Sequence, residues 1–135
     1  AALPWRTGPS VNALLRAIHL AKSGRPVKLM LPWIEKSEQE LLAHGFDTFE
    51  DRASQEQYIH SWVKEHCQVD MRKLPLQVQW YEASYVQEVR SVFPKGDCST
   101  ELGDGPRDVL FLEEPEHLCW YHNGQRWTEL FEHVV

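Results

Sequence analysis

The chain has little that would tie it to nucleic acid, to a bilayer interior or to an oxidising compartment. Its 135 residues carry 14 basic against 20 acidic side chains, a net charge of −6. A surface of that sign repels phosphates, and no nucleic-acid partner is expected. No run approaches the ~18 apolar residues that a membrane-spanning helix needs. Cys67, Cys98 and Cys119 are the three cysteines. Without a Cys-x-x-Cys pair they offer neither a zinc knuckle nor a disulfide framework, and they read as reduced thiols. Gly-x-Gly-x-x-Gly and the P-loop lysine are both missing, so neither nucleotide fingerprint is present. The first residues, Ala1 to Gly8, lack the basic and apolar blocks of a signal peptide. There is no initiator methionine, and the chain is expected to be a fragment of a longer protein, cut at both ends.

What is present is the composition of one globular domain, 42% apolar and 25% charged. Val11, Leu14, Leu15, Ile18 and Ala21 recur at helical spacing, with Ser10 as the expected N-cap and Gly24 closing the helix. Pro26 to Pro32 reads as a short strand. Loop, helix, loop and strand in this order have the spacing of a β-α-β unit whose first strand lies outside the sequence. A second helix is expected from Glu35 to His44. A third is expected from Ser54, where Ser54 and Gln57 have capping-box spacing, with Tyr58, Ile59, Trp62 and Val63 on its buried face. Leu76 to Tyr81 alternates as a strand does, Tyr85 to Phe93 is read as a short helix, and Pro94 to Pro106 as a loop. Such alternation predicts an α/β fold with helices on the faces of a sheet.

The densest chemistry follows the apolar strand Val109 to Leu112. Three carboxylates, two histidines and three large aromatics crowd the next fifteen residues, through Trp127. Polar groups just past the carboxyl end of a strand in an open α/β sheet line the ligand crevice. Glu113, Glu114, Glu116 and His117 suit either hydrogen bonding to sugar hydroxyls or a plain acidic turn at a helix start. Trp120, Tyr121 and Trp127 around Asn123-Gly124 suit either a ligand wall or a loop packed to the core. His117 and His122 lack an evident third ligand, so no metal is expected. Thr7-Gly8-Pro9-Ser10 ahead of a helix is either a ligand-facing N-terminus or an ordinary capped turn. Six tryptophans fit core filling as well as contact with a lipid surface.

Several stretches resemble the digalactosyldiacylglycerol synthases. They are Leu3-Pro4-Trp5-x-Thr7-Gly8-x-x-Val11-Asn12-x-Leu14, Leu20-Ala21-Lys22-Ser23, Leu31-Pro32-Trp33 and Arg90-Ser91-Val92-Phe93-Pro94-x-Gly96-Asp97. The longest is Leu112-Glu113-Glu114-Pro115-Glu116-His117-Leu118-x-Trp120-Tyr121-His122-x-Gly124-x-Arg126-Trp127. The resemblance implies a retaining glycosyltransferase of the GT-B type, with an active site between two Rossmann-like domains. Residues 1–135 would then be a partial N-terminal, acceptor-side domain: a Rossmann-like open sheet with helices on both faces, truncated at both ends. It implies UDP-galactose as donor, held mainly by the other domain, and monogalactosyldiacylglycerol as acceptor. No cofactor is implied, and the location is peripheral on the chloroplast outer envelope. The substrate-binding residues implied are Thr7, Gly8, Glu114, Glu116 and His117, with His122 and Arg126 behind them. No catalytic nucleophile is implied in this chain, and the fragment alone is expected to be inactive. Two other readings of the same residues are a non-catalytic sugar- or lipid-binding module and a glycoside hydrolase using Glu113 with Glu116, which would have to flank the scissile bond.

Overall fold

Two neighbouring strands with opposite duties organise the molecule. The computed structural model describes residues 8–42, 47–97, 101–103, 107–113, 115–119, 121–122 and 125–135. Strand β1 (Val27–Ile34) and strand β2 (Leu76–Val86) pair in parallel, from Val27 opposite Leu76 to Ile34 opposite Ala83. Side chains of a strand alternate between faces, and here both faces are apolar. Leu29, Leu31 and Trp33 of β1, with Trp80 of β2, point to one cluster, which helix α1 (Gly8–Lys22) completes with Leu14 and Ile18. Helix α3 (Arg52–Cys67) adds Ile59 and Val63, both fully buried. The rings of Trp33 and Trp80 meet edge to face, 6.1 Å between centroids. On the opposite face Ile34, Tyr81 and Ala83 pack with Leu102 and Trp127, against which Leu42 and Leu130 also lie. A strand apolar on both sides is the mark of a parallel sheet sandwiched between layers. The expected α/β architecture, a mixed open sheet with helices, is therefore present.

Helix termini show which local signals decided the boundaries. At the end of α1 the Gly24 N–H donates to Ala21 O at 3.0 Å and the Arg25 N–H to Leu20 O at 3.3 Å, with Gly24 at φ 84°. That is the left-handed glycine cap expected from the sequence. Ser10 is not the N-cap. The helix starts at Gly8, so Ser10 sits in its first turn, where it is 1% exposed. Likewise α3 begins ahead of Ser54. Asp51 is its cap, accepting from the Ser54 N–H at 2.7 Å, while the Ser54 hydroxyl receives the Asp51 N–H at 3.3 Å. The box is the same device moved three residues back, with serine in the place usually taken by Glu or Gln. Helix α2 (Lys36–Leu42) lies within the expected second helix.

Strand β1 runs through Pro32, past the expected end. The Val27 N–H bonds Pro75 O at 2.8 Å, so odd residues of β1 direct their N–H toward β2 and even ones away. Pro32, which has no N–H to give, falls on the outward side, where a strand tolerates proline.

The expected helix from Tyr85 to Phe93 is a β-hairpin instead. Strand β2 continues to Val86, residues 87–90 turn, and strand β3 (Ser91–Pro94) returns antiparallel with Tyr85 opposite Val92. The local composition explains the reversal: Tyr85, Val86, Val92 and Phe93 are strand-favouring residues. Arg90 takes the left-handed conformation, φ 52°, that closes the turn.

Farther on, β4 (Val109–Leu110) pairs in parallel with β7 (His133–Val134). The Leu112 N–H reaches Val135 O at 2.9 Å, which carries the ladder to the end of the expected strand. Strands β5 (Tyr121–His122) and β6 (Gln125–Arg126) form a short antiparallel pair, and helix α4 (Trp127–Leu130) follows directly. Gly45, Cys98 and the Asn123-Gly124 pair lie outside the described residues. No helix among the described residues is long and apolar enough to cross a membrane.

Candidate functional site

The expected site residues fall into two groups, one on α1 and one between β4 and α4. Thr7 lies outside the described residues. Gly8 opens α1, exposed to solvent, and a methyl group placed on it would meet no atom of the described residues within 4 Å. Packing among the described residues therefore gives no reason for glycine here.

In the second group the chain leaves β4 through Phe111 and Leu112 to Glu113, and enters a 3-10 helix at Pro115–Cys119. Glu116 and His117 are carried on that short turn, His117 half-buried and engaged with neighbouring groups. Glu114 and Trp120 lie outside the described residues. His122 stands opposite Gln125 in the β5–β6 pair, and Arg126, exposed, stands opposite Tyr121 and is the cap residue of α4. The turn and β6 both contact α4. Glu116, His117, His122 and Arg126 are thus brought onto one small unit whose anchor is the ring of Trp127, 2% exposed. For Trp127 the core-packing alternative holds.

Glu113 is held by α1. Its side chain is 16% exposed and is ion-paired with Arg16 of α1. The same guanidinium lies over the Phe111 ring, 5.4 Å from its centroid. Arg16 did not stand out in the sequence. The available signal was a single arginine on the polar side of α1, away from Leu14 and Ile18, and an exposed arginine on a helix is ordinarily just solvated.

Gln39 was also missed. Buried at 6% exposure, it donates to Ile34 O at 2.7 Å and Phe49 O at 3.2 Å, and accepts from the Phe49 N–H at 2.8 Å. A buried amide saturated by backbone groups is a structural brace. It pins the carboxyl end of β1 to the segment leading into α3.

Among the described residues, two groups titrate away from their ordinary range. The Asp51 carboxyl is lowered, first by the Ser54 N–H and then by the Ser54 hydroxyl. The Lys36 ammonium is raised by its hydrogen bond to, and the charge of, Glu50. Both are exposed and belong to helix starts rather than to the candidate site. Among the described residues no three His, Cys, Asp or Glu side chains gather as metal ligands would. A depression of about 500 Å³ opens elsewhere, between α3 and β2, lined by Glu56, His60, Arg72, Gln77 and Gln79.

No family model matches the chain. Similar proteins do exist across its full length. Digalactosyldiacylglycerol synthase 1, chloroplastic, of Arabidopsis thaliana is 43% identical over 136 aligned positions, covering all of this chain and 16% of that protein. The protein of the same name from Glycine max is also 43% identical, with 17% of its length covered. Digalactosyldiacylglycerol synthase 2, chloroplastic, of Arabidopsis thaliana is 38% identical, with 28% covered. The chain spans between about a sixth and three tenths of the relatives it matches. From end to end the chain is similar to one part of proteins named digalactosyldiacylglycerol synthase.

Proposed function

We propose that this chain is the acceptor-side part of a glycosyltransferase that moves galactose from UDP-galactose onto monogalactosyldiacylglycerol. The observation that carries the reading is identity of 37–43% over the whole chain to proteins named for that product. In this reading residues 1–135 are a portion of the N-terminal Rossmann-like domain of a GT-B enzyme, and a second domain holds most of the donor. The exposed apolar side chains of the β4–β7 pair, Val109, Phe111, Val134 and Val135, support it. Parallel strands are ordinarily covered on both faces, so this pair fits a sheet that continues in the larger protein. The word chloroplastic in the relatives' names supports a plastid location, and a bilayer-resident acceptor supports peripheral attachment to the outer envelope.

In this scheme the chain orients the acceptor. Glu114, Glu116 and His117 accept hydrogen bonds from galactose hydroxyls, with His122 and Arg126 beside them. Thr7 and Gly8 offer backbone groups to sugar or phosphate at the start of α1. Holding the acceptor hydroxyl in line with the donor supplies rate through positioning. Groups that stabilise the departing diphosphate belong to the other domain, so residues 1–135 alone do not catalyse transfer. The hydrolase alternative needs Glu113 and Glu116 on opposite sides of a bond. The ion pair of Glu113 with Arg16 favours a positioning role for that carboxylate over a hydrolytic one.

Glu116→Ala and His117→Ala in the full-length protein test the assignment. Each is expected to lower galactose transfer by about tenfold or more, the scale set by loss of a charge-assisted hydrogen bond to substrate. Wild-type rates in both variants overturn the site.

A further inference from the structure

Phe111 and Glu113 follow β4, two residues apart, with Glu113 at a bend. Arg16 of α1 engages both. Its guanidinium is ion-paired with Glu113 and lies over the Phe111 ring at 5.4 Å. The burial is unequal: Arg16 keeps 41% of its side-chain surface exposed, while Glu113 keeps 16%. A carboxylate so far withdrawn from water depends on its partner, whereas the arginine does not. Leu110 of β4 packs into the Trp127 cluster. The segment is thus fixed from the α4 side by apolar packing, and from the α1 side through Arg16.

We propose that Arg16 is a positioning residue of the acceptor side. It clasps Phe111 and Glu113 to α1 and so sets where the Pro115–Cys119 turn, with Glu116 and His117, stands relative to the start of that helix. Gly8 and Arg16 are eight residues apart on one helix, about 12 Å along its axis. The clasp therefore ties the two groups of candidate residues to one rigid ruler. This inference rests on the galactolipid reading for its functional consequence, but the clasp itself is testable without it.

The experiment uses the full-length protein with Arg16→Glu, Glu113→Arg, the double exchange, and Arg16→Met, which keeps the aliphatic stem. Hydrogen exchange is followed on peptides covering 107–119 and, as internal reference, on β1 and β2. Removing the ion pair and the ring contact is expected to speed exchange in 107–119 by roughly tenfold, the scale of such contacts together. The reference peptides should not change. The double exchange should return 107–119 toward the parent rate. In parallel, each single variant should raise the KM for the galactolipid acceptor while leaving the KM for UDP-galactose alone, again with recovery in the double. Arg16→Met guards against misfolding caused by the reversed charge and should reproduce the same loosening. Unchanged exchange in 107–119, or a double variant no better than the singles, overturns the clasp. Rescued exchange in a protein whose parent form transfers no galactose upholds the clasp and overturns the galactolipid reading instead. Rescued exchange with an unmoved acceptor KM in an active enzyme overturns the positioning role.

Discussion

Replacing Trp127 with alanine should loosen the candidate site from beneath. The ring is 2% exposed and joins Ile34, Tyr81, Ala83 and Leu102, with Phe131 at 6.4 Å between ring centroids. A tryptophan buries roughly 200–250 Å², and at about 25 cal/mol per Å² this corresponds to about 5–6 kcal/mol as an upper bound. Aromatic truncations in packed cores cost about 3–5 kcal/mol. Because Trp127 follows Arg126 directly and α4 touches both β6 and the Pro115–Cys119 turn, the loss should be felt there first. Native-state hydrogen exchange on the full-length protein reads it locally. Peptides spanning 125–131 and 115–119 should exchange about two to three and a half orders of magnitude faster, the equivalent of that free energy. Trp127→Phe, which keeps a ring, should cost clearly less. Val89→Ala, at a position 61% exposed, should stay within about 0.5 kcal/mol of the parent. If Trp127→Ala differs from the parent by less than about 1 kcal/mol, the ring does not anchor this unit and the reasoning fails.

Gln39→Ala leaves the Phe49 N–H and the carbonyls of Ile34 and Phe49 without their side-chain partner. At about 1–3 kcal/mol for each buried group left unsatisfied, the variant should lose about 3 kcal/mol or more; local opening of 34–49 by hydrogen exchange at the parent rate contradicts this. Asp51 gives a pH signature, since its folded-state pKa lies below the ordinary value of about 3.9. A lowered carboxylate contributes its full stabilisation above the unfolded pKa and loses it as pH falls through the folded one. Parent and Asp51→Asn proteins should therefore differ in the opening of α3 near neutral pH, and the gap should narrow below about pH 4. A gap independent of pH rules out the carboxylate as its source.

The elements that the sequence announced correctly are those in which one strong local signal acts alone. Gly24 ends α1 because a left-handed residue closes that cap, and Val27 to Leu31 is a strand because a short, mostly apolar run stands between Pro26 and Pro32. Boundaries moved where two signals compete. Ser54 and Asp51 can both cap a helix, and the structure uses Asp51 as acceptor and Ser54 as its reciprocal partner. Tyr85–Phe93 is a hairpin although Gln87, Glu88 and Arg90 favour helix, because pairing along β2 outweighs them. The crowding of Glu116, His117, His122 and Arg126 was legible, being close in sequence. What joins that crowd to α1 was not, because the Arg16–Glu113 pair spans 97 positions and no periodicity reports a single long-range ion pair.

The central claim is that this chain orients a galactolipid acceptor within a larger galactosyltransferase. Its most direct test is steady-state transfer from UDP-galactose to monogalactosyldiacylglycerol by the full-length protein, parent against His117→Ala, with each substrate varied in turn. The account predicts transfer by the parent and a rise of about tenfold or more in the acceptor KM of the variant, with the UDP-galactose KM unchanged. A parent protein without transfer activity contradicts the account, and so does a variant whose defect lies in donor binding.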